Sequence, residues 1–157
     1  MKYLGKVINA PTEEIIVIPR TTGNITLKIQ AVLDFDEFEA LCPTPEPPVK
    51  MVPGGAKIAN AEAPSYLEAI DAWASKKSSW LILKALQATS ELEFETVNMS
   101  DPETFNNYDK EFRAAGFSSM EIAMIVNKVT DTCGLNSEKV EAATKAFLAG
   151  QELPQDM

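Results

Sequence analysis

No histidine occurs among the 157 residues of the chain. That absence removes the usual general base near neutral pH, the commonest nitrogen ligand for metals, and every Ser-His or Cys-His catalytic pair. Cysteine is nearly absent as well: Cys42 and Cys133 stand far apart, with no CxxC pair and no ligand cluster around either. Neither a zinc site nor a disulfide framework is indicated, and a reduced, intracellular protein is the simpler expectation. Positive charge is scarce. The 14 Lys and Arg set against 23 Asp and Glu leave a formal charge of -9, the wrong sign for a phosphate backbone, so nucleic acid is excluded as a partner. Long apolar runs are missing too. The densest, Trp80 to Leu83, falls far short of the ~20 residues that span a bilayer. No membrane partner is expected, and with no leader or lipidation pattern at Met1 to Ala10 the expected setting is cytoplasmic.

What is present is the composition of a folded domain, with 45% hydrophobic and 24% charged residues over a length that suits one sizeable core. The β-branched run Glu14 to Ile18 and the alternating Ile25 to Ile29 flank a Thr-Thr-Gly-Asn turn, which predicts a β-hairpin. Asp34 stands three positions before Glu37, the spacing of an N-cap, so Phe35 to Leu41 reads as a short helix stopped before Pro43. Residues 1–42 therefore form a hairpin and short helix.

Residues 43–64 hold Pro43, Pro45, Pro47, Pro48, Pro53 and Pro64 together with Gly54 and Gly55. No regular helix passes through such a segment. Pro43 to Pro48 favours polyproline II, Val52 to Gly55 a turn, and Lys57-Ile58 a resumed extended stretch. Two readings stay open here, a surface linker or an ordered arm lying on a partner.

Residues 65–150 are expected to be a bundle of about four helices, followed by a frayed tail over 151–157. The first runs from Ser65 to about Thr89, ~35 Å if continuous, behind Pro64. Lys76, Lys77, Ser78 and Ser79 interrupt its apolar face, which allows a kink or two shorter helices. Next, Ser100-Asp101-Pro102-Glu103 has the form of a capping box, with Phe105, Tyr108 and Phe112 on one face and Gly116 as the stop. Ser118 to Glu121 repeats the box ahead of the stripe Ile122, Ile125, Val126, Val129 and Cys133. A last helix starts near Asn136 or Ser137 and offers Val140, Ala143, Phe147 and Leu148 before Gly150. The fold class is thus α+β and predominantly helical.

Chemistry is hard to find in these patterns. Glu91, Glu93 and Glu95 alternate with Leu92 and Phe94, which suits a solvated edge or a basic partner better than general acid-base or metal work. Asp34, Asp36, Glu37 and Glu39 lack the glycine and distal glutamate of a calcium loop. Pro53 to Lys57 lacks the spacing of a phosphate loop. No residue is therefore assigned to catalysis, metal or a cofactor. The candidates for a partner-binding face are Trp73, Trp80, Phe105, Tyr108 and Phe112, each of which also suits a core position.

The order of features also carries a resemblance. Glu39-Ala40-Leu41-Cys42-Pro43, the arm with Pro53-Gly54-Gly55, the Trp-bearing helix, Asp101-Pro102-Glu103-Thr104-Phe105 and the closing Phe147-Leu148-Ala149-Gly150-Gln151 occur in that sequence. Over roughly residues 14–151 the chain resembles the tail assembly chaperones of tailed bacteriophages. The resemblance implies a non-enzymatic helper in the host cytoplasm. Such a helper binds the tape-measure protein, and by extension the tail-tube protein, keeps it soluble, and leaves before the virion is complete. Self-association is compatible with it. The long proline arm is the departure, and it keeps a structural virion protein, such as a head-tail adaptor or tail accessory subunit, as the alternative. An acidic DNA-mimic decoy is the third reading, from the Glu91 to Glu103 cluster.

Overall fold

The computed structural model describes residues 1–134 and 137–150. The tail expected to fray and Asn136 as a helix start lie outside these. The fold is α+β and mostly helical, with three separate two-stranded antiparallel hairpins and five α-helices among the described residues.

Strands β1 (Lys2–Tyr3) and β2 (Lys6–Val7) make a tiny hairpin at the start. Its turn sets both Leu4 and Gly5 at positive φ, the pattern of a two-residue hairpin loop. The main hairpin joins β3 (Glu13–Ile18) to β4 (Ile25–Gln30), with Ile18 opposite Ile25 and Glu13 opposite Gln30. Period-2 alternation sends Ile16, Ile18, Leu27 and Ile29 to one face, where they join the core. Helix α1 (Asp36–Leu41) follows one residue later than the sequence predicts. The Asp34 carboxylate accepts from the Asp36 N–H at 3.1 Å as a local turn, while Phe35 takes the cap position without a side-chain bond.

The arm is more ordered than a linker. Strands β5 (Val49–Met51) and β6 (Lys57–Ala59) pair across the Val52 to Gly55 turn, where Gly54 and Gly55 supply the positive φ that an L side chain resists. Helix α2 (Pro64–Leu86) is one uninterrupted 23-residue helix. The polar stretch that interrupts its apolar face is where the chain returns to dock: the Lys76 ammonium meets Glu103 at 2.6 Å, and the Ser79 hydroxyl donates to Asn106.

The expected capping box at Ser100 does not form. The Asp101 side chain caps instead, accepting from the Glu103 N–H, and Pro102–Thr104 tightens into a 3-10 turn before α3 (Asn107–Ala114) begins. The box at Ser118 does form, both halves of it, and opens α4 (Ser119–Cys133). Helix α5 (Ser137–Leu148) forms as well, yet Val140, Phe147 and Leu148 remain exposed and the helix does not close onto the others as a fourth bundle member. Its place is taken by the β3–β4 hairpin. Ile122, Ile125 and Val129 of α4 bury against the same cluster as Ile18, Leu27 and Ile29, joined by Ile82 and Leu86 from the end of α2. Hairpin and helices therefore share one core. A smaller aromatic cluster of Phe38, Trp80, Leu83 and Phe105 continues it.

Candidate partner-binding surface

The five aromatic candidates fall into this core, in an order set by helix geometry. Trp80, Phe105 and Phe112 are 1%, 0% and 3% exposed, which removes them as a binding face. Each is held by neighbours. The Phe38 ring centroid lies 5.8 Å from Trp73 and 5.9 Å from Trp80, so the two tryptophans, seven residues apart on α2, grip one ring from α1. Phe105, C-terminal neighbour of the 3-10 turn, packs in the cluster of Phe38, Trp80 and Leu83, apart from the cluster that holds Phe112. Phe112 instead meets Phe94 at 5.6 Å and Phe117 at 4.8 Å, both edge-on. Tyr108, half-buried, borders both clusters, and burial followed by the nearby Asp109 charge pushes its phenol above the ordinary value. Trp73 is half-buried as well. Its indole N–H donates to the Cys42 carbonyl at 2.8 Å, tying the root of the arm to α2, and the Lys77 ammonium lies 4.8 Å from its ring centroid.

The exposed apolar side chains lie elsewhere, on elements that stand off the core. From Pro64 to Ser78 no α2 residue is fully buried; Leu67 is exposed, and the half-buried Tyr66 and Ile70 line up with Trp73 at helical spacing. Val49, Met51 and Ile58 on the arm hairpin are exposed, as are Tyr3, Leu4 and Val7 at the start and Phe147 and Leu148 at the end. The total accessible surface is 11326 Å². A compact monomer of 17.2 kDa exposes about 7,800 Å². Among the described residues, the side chains exposed on the projecting elements contribute to the larger area.

The sequence carried a signal for part of this. Val49-Lys50-Met51 and Lys57-Ile58-Ala59 flank a Gly-containing turn, a hairpin pattern hidden by the surrounding prolines.

Electrostatics follow the same division. Glu91, Glu93 and Glu95 are exposed while Leu92 and Phe94 turn toward the core, the alternation read from the sequence, although residues 92–94 form no ladder. Glu111 binds this segment down. Desolvation pushes its carboxyl up, but bonds from the Glu95 and Thr96 N–H groups and the Thr96 hydroxyl prevail and hold it below the usual range. Glu121 is held low first by the Arg20 guanidinium, bidentate at 2.9 and 2.7 Å, and then by the Ser118 N–H.

The clefts are open and shallow. The 410 Å³ hollow between the β4–α1 connection and α2 is lined by Val32, Asp34, Trp80 and Lys84. Both thiols are free and half-buried. Among the described residues, no group of three or more His, Cys, Asp or Glu side chains is placed to hold a metal ion, and no helix is long and apolar enough to cross a membrane. What the surface offers is apolar contact on projecting elements. Comparison with protein-family models, with curated proteins and with solved structures found no significant match.

Proposed function

We propose that the chain is a non-enzymatic phage tail assembly chaperone. In this reading it covers apolar faces of the tape-measure protein in the host cytoplasm until tail-tube subunits polymerise around that client, and then departs. The observation that carries the reading is the apolar stripe of exposed Leu67 and half-buried Tyr66 and Ile70 on the first turns of α2, where no residue is fully buried. A stripe of that spacing matches the way one amphipathic helix lies against another. The net charge of -9 keeps the loaded complex soluble.

Co-expression with the tape-measure protein tests this directly. The client should stay in the soluble fraction with the wild-type chain and precipitate with the double variant Leu67→Asp, Ile70→Asp, while the variant's own melting stays within roughly 0.5 kcal/mol of wild type. Client solubility that ignores both substitutions removes the assignment of the face.

One observation favours the structural alternative. The arm hairpin exposes Val49, Met51 and Ile58, and its root is tied back by the Trp73–Cys42 bond, as a lock between adjacent subunits requires. Quantitative mass spectrometry of purified virions separates the two readings. A fixed copy number makes the chain a virion subunit, and absence beside abundance in the lysate leaves it a chaperone.

A further inference from the structure

The two edges of the main hairpin are treated differently. The Thr89 hydroxyl accepts from the Lys28 N–H at 2.7 Å and donates to the Lys28 carbonyl at 2.9 Å, so both groups of that residue point away from β3 and are plugged. The bond from the Ala31 N–H to the Thr12 carbonyl fixes the same alternation from the other end of the ladder. With Glu13 opposite Gln30 and Ile15 opposite Lys28, the N–H and C=O groups of Glu13, Ile15 and Val17 must then face outward from β3.

No described group bonds them. Within Glu13 to Ile18 no proline, lysine or bulge interrupts that edge, and its charges are confined to Glu13 and Glu14 at one end, the latter paired with Lys128. The side chains of Ile15 and Val17 are 56% and 50% exposed. Glu121 and Lys128 on α4 reach Arg20 and Glu14, and Met124, exposed on the same helix face between them, extends the apolar surface alongside.

We propose that β3 pairs with β3 of a second copy of this chain, antiparallel across a two-fold axis through Ile15, to make a continuous four-stranded sheet. A second copy brings the same open β3 edge, whereas the β4 edge is plugged at Lys28, and the register admits that copy without a mismatch. The three outward residues are symmetric about Ile15, so one two-fold places Glu13 opposite Val17 of the other copy, Ile15 opposite itself, and Val17 opposite Glu13. Every free N–H and C=O of the three finds a partner. No like charges are directly opposed, since Glu14 meets Ile16 of the other copy in that register. A helical client offers no free strand for such an edge. The inference does not depend on the chaperone reading.

Substitutions at the axis test it with the full chain, at ~0.15 M salt so that the net charges are screened. Ile15→Glu and Ile15→Lys each place two like charges about 5.5 Å apart, Cα to Cα, across the two-fold. Within its own hairpin Ile15→Glu faces Lys28 favourably and Ile15→Lys meets it as a like charge, so far-UV circular dichroism first checks that each variant keeps the wild-type fold. By sedimentation equilibrium the wild type should reach twice 17.2 kDa as concentration rises, each variant should stay at 17.2 kDa, and an equimolar mixture of the two variants should dimerise again. In the wild type, amide exchange at Glu13, Ile15 and Val17 should slow as concentration rises. A wild type that stays monomeric at millimolar concentration, a dimer that survives Ile15→Glu, a mixture that fails to recover, or exchange at those three amides that ignores concentration each overturns the proposal.

Discussion

Trp80 offers a sharp test of how the aromatic core is built. The side chain is 1% exposed, and its indole N–H is sealed from solvent with no hydrogen-bond partner among the described residues. Two opposing effects follow. Truncation to alanine removes a large buried ring and the contacts with Phe35 at 5.8 Å and Phe38 at 5.9 Å, for a cost of about 3–5 kcal/mol. It also releases an unsatisfied buried donor, a gain of roughly 1–3 kcal/mol, so the net loss for Trp80→Ala should be about 2 kcal/mol. Trp80→Phe separates the effects. It empties roughly 40 Å³, a cost of about 1 kcal/mol at ~24 cal/mol per Å³, while removing the same donor. The phenylalanine variant should therefore be as stable as wild type or more stable by up to about 2 kcal/mol. Urea unfolding followed by far-UV circular dichroism measures both, with the fluorescence of Trp73 reporting in either variant. A loss above about 2 kcal/mol for Trp80→Phe refutes the unsatisfied donor, because the ring volume alone does not cost that much. An unchanged Trp80→Ala refutes the core position itself.

Other expectations follow from single contacts. Thr89→Val leaves the N–H and carbonyl of Lys28 without their shared hydroxyl and should cost about 1–3 kcal/mol by chemical denaturation, whereas Thr89→Ser should retain most of the stability. Ser118→Ala removes the N-cap of α4 and should cost about 1 kcal/mol, read as a lower melting temperature with an unchanged unfolding slope. Glu121 has a folded pKa below its unfolded value, so its contribution is complete above the unfolded carboxylate range and disappears as pH falls through the folded one. Acid unfolding of Glu121→Gln should therefore lack that component, and the wild type and variant curves should converge at low pH; parallel curves down to the lowest pH contradict the Arg20 pairing.

Local order was readable from residues alone wherever a backbone group and its partner are close in sequence. The β-branched runs around Thr-Thr-Gly-Asn became β3 and β4, the Ser118 box became the start of α4, and Pro64 opens α2 at the first helical position. Each rests on a bond or a torsion fixed within a few residues. The same logic failed at Ser100, where Asp101 has the equivalent carboxylate one position nearer the proline and captures the Glu103 N–H first.

Periodicity also gave the buried stripe of α4 without saying what would bury it. An amphipathic face states only that some apolar surface must cover it, and α5, equally amphipathic, was the natural candidate from sequence. The tertiary structure covers that stripe with the β3–β4 hairpin instead and leaves Phe147 and Leu148 of α5 exposed. Long-range choices of this kind separate Trp80 in the core from the half-buried Trp73, although the two are equivalent positions on one helix face. The difference is where along α2 the remaining elements end: Phe105 and Leu83 reach Trp80, and beyond Trp73 toward Pro64 no α2 residue is fully buried. Sequence by itself determined the helices, the hairpin turn and the excess of acid. Only tertiary packing decided which apolar faces were satisfied and which were left to meet a partner, because burial depends on neighbours that the chain brings together from a hundred residues away.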